Sequence, residues 1–477
     1  MSALHLVREN MHEVRVDGRQ LLFHVPTTSL FEMDRIAGEV LGLFQEMDMV
    51  TAADIESRFD GLFAPEQITA ALGELKDLQI IRDVGGTVPN SAEIKIGAYP
   101  ISTMVLNVNT GCNLSCTYCY KEDLAPPDEG QRMEFRTAAD AFELLLREAA
   151  GRDRVNLVFF GGEPLSNMGL IRDVTAYAGR RAAEEGKTVD LSLTTNATLL
   201  TDELIAWFDA HRFGLTVSMD GPRALHDLNR RTVGGKGTYD VVAKKVRGLL
   251  DRYRSRPVGA RVTLTPGVTD VVSIHRHLRD EIGFFEVGFS PVTAGDMAAF
   301  NLDESELAEV FAGMKALGRD YLARALQGEN NGFSNMHQLM TDLVEGTRKS
   351  LPCGAGLGML AVDKGGGLNL CHRFTGSDLP TFGDVTAGID KPRLGEFLDG
   401  MLDRSGRSCR TCRIRNICSG GCYHESYARY GDPAHPVHHY CDILRDWVDF
   451  GIEVYTRIMD GNPDFFDTHI EPRRALR

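Results

Sequence analysis

Short apolar runs alternate with amphipathic segments through the middle of the chain. Six runs rich in Val, Leu, Phe and Thr predict strands at residues 104–108, 155–160, 189–194, 215–219, 260–265 and 286–290. The intervening segments have helical periodicity; for example, Ala138, Ala141, Phe142 and Leu145 lie on one helical face. Strands alternating with helices of this length predict β/α crossovers, a parallel sheet and an α/β fold.

The first 95 residues have a different pattern. Apolar residues flank the turn Asp17-Gly18 and predict a β-hairpin. Three helices are expected to follow: one over 30–44, a short one that opens at Thr51 with Asp54 placed as in a capping box, and one over 65–78. This pattern predicts a small leading domain.

After residue 300 the pattern becomes helical, including 307–326, and a cysteine-rich segment follows. Trp447, Val448, Ile452 and Tyr455 suggest a closing helix. The predicted domains are therefore 1–95, 96–300, a helical linker over 301–350, and a cysteine-rich domain with the closing helix over 351–477.

Composition narrows the possible function classes. The 477 residues are 43% hydrophobic with a net charge of −15, which argues against non-specific binding to nucleic acid or an anionic membrane. We expect no membrane span, because no apolar run approaches bilayer length. The first residues have no apolar core of a signal peptide, so we expect a cytoplasmic protein. Ten cysteines in a reducing compartment favour metal binding over disulfides.

Three cysteines follow the first predicted strand closely. Cys112, Cys116 and Cys119 have the spacing C-x3-C-x2-C. Three thiolates on one loop can wrap an iron–sulfur cluster, and an odd number cannot all pair as disulfides. Three ligands for a four-iron cluster leave one iron open to a substrate or cofactor. A zinc knuckle or a chance grouping is the alternative explanation of this loop alone.

Polar motifs follow the next three predicted strands. They are Gly161-Gly-Glu-Pro164, Thr194-Thr-Asn196 and Ser218-Met-Asp-Gly221. Ligands of parallel α/β sheets bind beyond the carboxyl ends of the strands, where all of these motifs fall. Taken singly, each motif is also compatible with an ordinary turn.

The cysteine spacing, with Tyr118 before the last cysteine, and the order of these motifs resemble the radical S-adenosylmethionine (SAM) enzymes. The resemblance implies a partial (β/α)6 barrel in which SAM chelates the open iron of a 4Fe–4S cluster. It also implies the SAM-binding residues Tyr118, Gly161, Gly162, Glu163, Thr195, Asn196, Ser218 and Arg230. Arg231, beside Arg230, is an alternative partner of the methionine carboxylate.

The other seven cysteines lie between residues 353 and 441. They are Cys353, Cys371, Cys409, Cys412, Cys418, Cys422 and Cys441, and Gly366 precedes Cys371 at the spacing G-x4-C in a predicted tight hairpin. This block resembles the seven-cysteine SPASM extension of radical SAM peptide maturases, which carries two auxiliary 4Fe–4S clusters. A zinc ribbon could explain four of the seven cysteines but not the glycine-spaced pair.

The SPASM resemblance implies how these ligands divide. Cys409, Cys412, Cys418 and Cys441 would hold one cluster, and Cys353, Cys371 and Cys422 the other, which would keep an iron without a cysteine ligand. His372 and Asp403 are candidates for that fourth position or for a catalytic base. Sulfatase-maturing relatives carry an acidic residue where this chain has His372, which weakens a sulfatase-maturing interpretation.

The leading domain resembles the winged-helix element with which ribosomal-peptide maturases bind a leader segment by strand addition. A structural cap and a DNA-binding winged helix are the alternatives. DNA binding is disfavoured because Glu66, Glu74 and Asp77 outnumber Lys76 on the third helix.

Within this family, the domain order and length resemble the maturases of quinohemoprotein amine dehydrogenase. These join Cys sulfur to the methylene carbon of Asp or Glu in a small cysteine-rich subunit, with electrons from a donor such as flavodoxin or ferredoxin. The alternatives are an anaerobic sulfatase-type (formylglycine) maturase, a sactipeptide-type maturase and, from a different class, a non-catalytic iron–sulfur electron carrier.

Overall fold

A computed structural model describes residues 3–85, 101–121, 123–292, 298–402, 408–436 and 440–471. The strands are β1 (Leu4–Leu6), β2 (Met11–Val16), β3 (Arg19–His24), β4 (Ser29–Glu32), β5 (Ile81–Asp83), β6 (Thr103–Asn107), β7 (Arg154–Phe160), β8 (Thr188–Thr195), β9 (Gly214–Ser218), β10 (Val258–Leu264), β11 (Glu286–Pro291), β12 (Met359–Val362), β13 (Leu368–Asn369), β14 (Gly383–Asp384) and β15 (Gly388–Ile389).

The α-helices surround the central sheet or belong to the terminal regions. They are α1 (Arg35–Glu46), α2 (Ala52–Phe59), α3 (Pro65–Asp77), α4 (Phe135–Glu148), α5 (Met168–Glu184), α6 (Asp202–Ala210), α7 (Arg223–Asn229), α8 (Tyr239–Arg252), α9 (Val271–Arg276), α10 (Glu304–Ala325), α11 (Ser334–Val344), α12 (Lys391–Leu402), α13 (Arg415–Cys418), α14 (Tyr423–Tyr430), α15 (Cys441–Gly461) and α16 (Asp464–His469). None of the helices in the described ranges is long and apolar enough to cross a lipid bilayer.

The central sheet has the strand order β11-β10-β9-β8-β7-β6-β12-β13. The pairings from β11 to β12 are all parallel, and only β13 runs antiparallel to its neighbour. All six predicted strands are present, and each end lies within two residues of its predicted position. The α/β fold class is therefore confirmed.

In β7, β8, β9 and β10, side-chain alternation buries one face of the strand in the core and leaves the other, interior face partly exposed. In β7, Val155, Leu157 and Phe159 are buried, whereas Asn156 and Phe160 are only half-buried. Helix α4 covers the buried face with Ala138, Phe142 and other apolar residues, as its periodicity predicts. The opposite face of the strands is therefore available to form an internal cavity.

The N-terminal region contains a three-stranded antiparallel sheet, β2-β3-β4, and a small ladder of β1 with β5. The predicted hairpin and the capping box at Thr51 and Asp54 are present. The predicted first helix begins late, because residues 29–32 form β4 on the edge of β3. Asp34 then caps α1 by accepting a hydrogen bond from the Ala37 amide at 2.7 Å.

The cysteine-rich C-terminal region extends the central sheet. Strands β12 and β13 form the predicted hairpin, and Gly366 at its turn has φ +97°, a conformation that favours glycine. The sequence pattern did not predict that β12 pairs in parallel with β6. This pairing brings the segment after residue 350 next to the strand that leads into the first cysteine loop.

Candidate active site

The first cysteine loop leaves the carboxyl end of β6 and places three thiols together. Burial raises the pKa of Cys112 to about 12 and of Cys116 to about 11, and repulsion between the loop's thiolates adds to the shift at Cys112. Buried thiolates need a compensating cation. The chemistry of this donor set therefore fits an iron–sulfur cluster, which carries positive irons.

The two glycines after β7 pack against this loop. The amide of Gly162 donates to Asn109 O and the amide of Glu163 donates to Gly111 O, both at 3.0 Å. A Cβ at Gly162 would lie 2.2 Å from Gly111 O, and Gly161 has φ +145°. Glycine is thus required at both positions for contact between the two loops. A contact of either glycine with SAM stays a prediction.

Glu163 lies at the centre of a buried hydrogen-bond network. Its carboxylate accepts from Thr195 Oγ1 at 2.7 Å, from the Asn196 amide at 2.8 Å and from the Leu165 amide at 3.0 Å. Burial raises its pKa to about 7, and these three donors oppose the rise. The side-chain amide of Asn196 lies 3.9 Å from Cys112 Sγ. The ends of β7 and β8 therefore meet at the cysteine loop.

Arg230 has an internal partner that sequence reasoning missed. Its Nε donates to Asp220 Oδ2 at 2.8 Å, and both side chains are buried. Tyr118 Oη donates to the same oxygen at 2.6 Å, and its ring lies 5.4 Å from the guanidinium carbon of Arg230. Burial opposes the charge on Arg230, but Asp220 outweighs it and raises the pKa of the guanidinium.

This arrangement connects predicted SAM-binding residues through Asp220, which lies in the Ser218-Met-Asp-Gly motif but had no predicted role. Asp220 Oδ1 also accepts from the Thr263 amide at 3.0 Å, so both carboxylate oxygens are engaged. Ser218 is half-buried on the interior face of β9, in register with Arg261 of β10. A role for Ser218 or Arg230 in binding the methionine carboxylate stays a prediction.

The C-terminal cysteines form two groups. The first group, Cys409, Cys412, Cys418 and Cys441, lines one pocket, and burial raises the pKa of Cys418 to about 11. In the second group, burial raises the pKa of Cys371 to about 12, and repulsion from Cys422 and Cys353 adds to it.

In each group, thiols from separate segments of the chain lie close to one another, which suits a cluster. In the described part of the chain, no three His, Cys, Asp or Glu side chains converge on a single metal ion. The ligands of a cluster bind different irons and need not converge in that way. Ligation of a cluster by either group stays a prediction.

Tyr120 lies between the first cysteine loop and the second C-terminal group. Its ring is 4.3 Å from the guanidinium carbon of Arg373, and Arg373 Nη1 lies 3.8 Å from Cys422 Sγ. The ring centroids of Tyr120 and His372 are 6.4 Å apart. The segment after Cys119 therefore contacts the segment after Cys371, across about 250 residues of sequence.

His372 packs against the end of β7, with its ring centroid 4.4 Å from that of Phe160. Burial lowers its pKa to about 3, and the charges of Arg373 and Lys121 add to this effect. The imidazole is therefore neutral near pH 7 and retains a nitrogen lone pair. Asp403, the other predicted catalytic candidate, lies outside the described residues.

A buried lysine joins the same two segments and was also missed. Lys121 Nζ lies 2.8 Å from Asp123 and donates to Thr375 Oγ1 at 2.5 Å. In the sequence, the only indication that Lys121 belongs to the site was its position two residues after Cys119. Arg261 could have been noticed as a charged residue in the middle of an otherwise apolar strand.

Comparison with known proteins identifies the central part of the chain. Residues 106–277 match the family model described as the radical SAM superfamily. This part of the chain is a radical SAM domain. It contains the first cysteine loop, the Gly-Gly-Glu-Pro turn, Asp220 and Arg230, and this family uses a 4Fe–4S cluster with SAM.

Two curated relatives match different extents of the chain. The serine-type anaerobic sulfatase-maturating enzyme of Klebsiella aerogenes is 25% identical over 347 residues, which cover 70% of this chain and 82% of that enzyme. The GTP 3′,8-cyclase of Xanthomonas campestris pv. campestris (strain B100) is 36% identical over 196 residues, covering 40% of this chain and 56% of the cyclase.

Two solved structures share the fold. One is anSMEcpe with bound AdoMet and Cp18Cys peptide, with a TM-score of 0.64 and 19% identity over 76% of this chain and 98% of that one. The other is Streptococcus suis SuiB bound to precursor peptide SuiA, with a TM-score of 0.52 and 15% identity over 92% of this chain and 99% of that one. At these identities the likeness shows the fold alone.

Proposed function

We propose that this chain is a radical SAM peptide maturase that forms thioether bonds between Cys sulfur and the methylene carbon of Asp or Glu in a substrate peptide. The contact of the first cysteine loop with the second C-terminal group, through Tyr120 and Arg373, carries the proposal. These contacts bring the segment after the first cysteine loop next to Cys422 of the second C-terminal group. The two reacting groups of a substrate peptide, a carbon and a thiol, could both bind in this region.

The comparisons support a peptide substrate. The Klebsiella relative is a sulfatase-maturating enzyme, and the two solved structures with the same fold carry a Cp18Cys peptide and the precursor peptide SuiA. The radical SAM family match over residues 106–277 supports the SAM-dependent step. The GTP cyclase, which matches a shorter stretch at higher identity, does not indicate the substrate. The small cysteine-rich subunit of quinohemoprotein amine dehydrogenase is our candidate substrate.

The leading domain would bind the substrate before reaction. Among the residues that the structure describes, strand β4 pairs only with β3, and so leaves an edge to which an extended peptide could add. Phe31, on this strand, is 40% exposed and could contact an apolar residue of the peptide.

The cofactors would be SAM and three 4Fe–4S clusters, one on the first cysteine loop and two auxiliary clusters on the C-terminal groups. When bound, SAM and the first cluster would supply the one-electron chemistry that removes a hydrogen atom from the methylene carbon, and an auxiliary cluster would accept the electron released as the thiolate joins that carbon. An external donor such as flavodoxin or ferredoxin would provide the first electron.

The chain's own residues would bind and orient the reactants. Asp220 holds Tyr118 and Arg230 in fixed positions, so that the remaining guanidinium nitrogens of Arg230 can approach the methionine carboxylate. Glu163, Thr195 and Asn196 hold the loops that would enclose SAM. A role for His372 as acceptor of the thiol proton stays a prediction, and burial, which lowers its pKa to about 3, makes the imidazole a weak base at this position.

Formylglycine formation is the second candidate, because the Klebsiella sulfatase-maturating enzyme matches over 70% of this chain. That reaction oxidises a side chain without joining a thiol. His372 at the position after Cys371 favours the thioether reaction, since the sulfatase-maturing relatives carry an acidic residue there.

The test is an anaerobic reaction of the iron-reconstituted enzyme with dithionite, SAM and the amine dehydrogenase small subunit. We expect deoxyadenosine, a loss of two hydrogens per bond, and thiols that no longer react with iodoacetamide. The triple variant Cys112→Ala, Cys116→Ala, Cys119→Ala is the control and should form no deoxyadenosine.

Other outcomes separate the alternatives. Loss of two hydrogens with all thiols still alkylated would indicate side-chain oxidation or carbon–carbon bonding. If the fully loaded wild-type enzyme makes no deoxyadenosine, the catalytic proposal is wrong and an iron–sulfur electron carrier remains.

A further inference from the structure

An internal cavity of about 300 Å³ lies between the carboxyl ends of β10 and β11 and the second C-terminal cysteine group. The charged and polar residues on its wall include Arg261, Arg373, Arg429, Glu425, Cys422 and Tyr440. This volume is at the lower end of the range for ligand sites, about 300–1,000 Å³, so it suits one small group or side chain. Three guanidinium groups face one carboxylate here.

The arginines differ in how they are already engaged. Arg429 donates to Glu425 Oε1 at 3.0 Å and to Asn301 Oδ1 at 2.8 Å. Arg373 stacks on Tyr120 and approaches Cys422 Sγ. Among the described residues, Arg261 has no hydrogen bond or ion pair through its side chain.

Arg261 has an exposed side chain, and that side chain lines the cavity. It occupies the interior face of β10, where its neighbours along the strand, Ala260 and Val262, are buried on the other face. An arginine remains charged in a protein interior, and an unpaired buried charge is costly. A guanidinium directed into a solvent-accessible cavity is therefore suited to an anion that enters from outside.

A second cavity, of about 780 Å³, reaches Arg261 from another direction. Its wall includes Thr216, Gly259, Glu286, Asn335 and His337. Arg261 lines both cavities, so a segment of substrate in either one could bring a side chain to the same guanidinium.

We propose that Arg261, assisted by Arg373, binds the side-chain carboxylate of an Asp or Glu of the substrate peptide and thereby selects the residue that is attacked. This inference rests on the proposed function. A guanidinium binds a carboxylate in a planar, two-pronged geometry, which fixes the direction of the group as well as its position. The methylene carbons of Asp and Glu are one or two bonds from the carboxylate, so holding it also places the carbon that loses hydrogen.

The competing occupant is the methionine carboxylate of SAM, because Arg261 is in register with Ser218. The experiment must therefore separate SAM binding from peptide binding. We would use the iron-reconstituted full chain and the variants Arg261→Gln and Arg261→Lys. Arg252→Gln is the matched control, because Arg252 is exposed at the end of α8 and lines neither cavity.

The probes are a fluorescein-labelled segment of the amine dehydrogenase small subunit with one Cys and one Asp, and the same peptide with Asn in place of Asp. For the wild type, we expect the Asn peptide to bind at least tenfold more weakly. Arg261→Gln should weaken binding of the Asp peptide tenfold or more, largely abolish the preference for Asp, and leave SAM affinity within twofold. Arg261→Lys should recover part of the affinity, and Arg252→Gln should match the wild type.

Two results would overturn the inference. One is equal wild-type binding of the Asp and Asn peptides. The other is a loss of SAM affinity in Arg261→Gln as large as the loss of peptide affinity, which would assign Arg261 to the methionine carboxylate. Since binding is measured without turnover, Asp-dependent binding with no thioether product would refute the proposed reaction while leaving the carboxylate site intact.

Discussion

At the scale of single residues, the site depends on Asp220, a buried carboxylate that forms an ion pair with Arg230. Asp220 accepts hydrogen bonds from Tyr118, Arg230 and the Thr263 amide, and its side chain has no exposed surface. A buried ion pair contributes little net stability when it is complete, but loss of one charge leaves the other without a partner in a medium of low dielectric constant.

We therefore expect Asp220→Asn to lower the free energy of unfolding by about 3–5 kcal/mol. The control is Asp240→Asn, which breaks the exposed pair with Arg223 and should cost less than about 1 kcal/mol. Urea denaturation of both variants measures the difference. Equal, small effects of the two substitutions would show that the buried pair does not support the fold in this way.

At this scale, the sequence predicted those features of the site that depend only on neighbouring residues. The cysteine spacing and the motif positions at strand ends are properties of short segments. Asp220 belongs to the Ser218-Met-Asp-Gly motif, but its partners, Tyr118 and Arg230, come from two other loops. Nothing in the residue order showed that the predicted SAM-binding Arg230 has an internal carboxylate partner.

At the scale of elements, the parallel strands are held together at their amino ends by Asp190 of β8. It accepts from Arg154 of β7 at 2.7 Å and from Arg256, just before β10, at 2.6 Å. Burial raises the pKa of Asp190, but the hydrogen bonds from Arg256 and Arg154 outweigh it, so the pKa is lowered overall.

Because its pKa is lowered, Asp190 is expected to contribute to the stability of the fold in a pH-dependent way. The stabilisation is fully present above the carboxyl's unfolded pKa of about 3.9 and is lost as pH falls through the lower folded pKa. We expect Asp190→Asn to cost about 1 kcal/mol at pH 7, because both arginines are partly exposed, and less at pH 3. Urea unfolding relative to the wild type at each pH measures this.

Asp202→Asn, which removes an 80%-exposed partner of Arg252, is the control and should change stability little at either pH. A cost of Asp190→Asn that is the same at pH 7 and pH 3 would mean that its charge is not what stabilises the strands.

Element boundaries show why sequence prediction was incomplete. The six central strands were predicted because each is a short run of apolar and β-branched residues between helical segments. Residues 30–34 were assigned to a helix, but Leu30 and Phe31 pair with β3, and Asp34 caps the helix that follows. Pairing with a neighbouring strand outweighed the local helical pattern there.

At the scale of the whole molecule, the N-terminal region contacts the C-terminal helix α15. His12 of β2 lies 3.0 Å from Asp449 of α15, which also accepts from Arg413 at 2.8 Å. Arg415, within the cysteine-rich segment, pairs with Asn10 Oδ1 at 3.2 Å. The N-terminal region is thus attached to the segment that carries the C-terminal cysteines.

We expect Asp449→Ala to loosen this attachment, because His12 and Arg413 lose their shared acceptor in a partly buried contact. Hydrogen–deuterium exchange in β2 and β3 should quicken, with a local loss of about 1–3 kcal/mol. Asp446→Ala, on the same helix but paired with Lys315 of α10, should leave exchange in β2 unchanged. Unchanged exchange in β2 and β3 in Asp449→Ala would mean that apolar packing alone holds the domain.

The sequence by itself determined the features that depend on neighbouring residues. These are the six alternating strands, the capping box at Thr51, the hairpin at Gly366 and the cysteine spacings, because periodicity, turns and chelating loops are encoded within a few residues. Only the tertiary structure decided which of these features meet. Strand β12 joins β6, Tyr120 meets Arg373, and Arg261 enters a cavity beside Cys422. Such contacts join segments up to about 250 residues apart, and they follow from packing of the whole core, which no local pattern records.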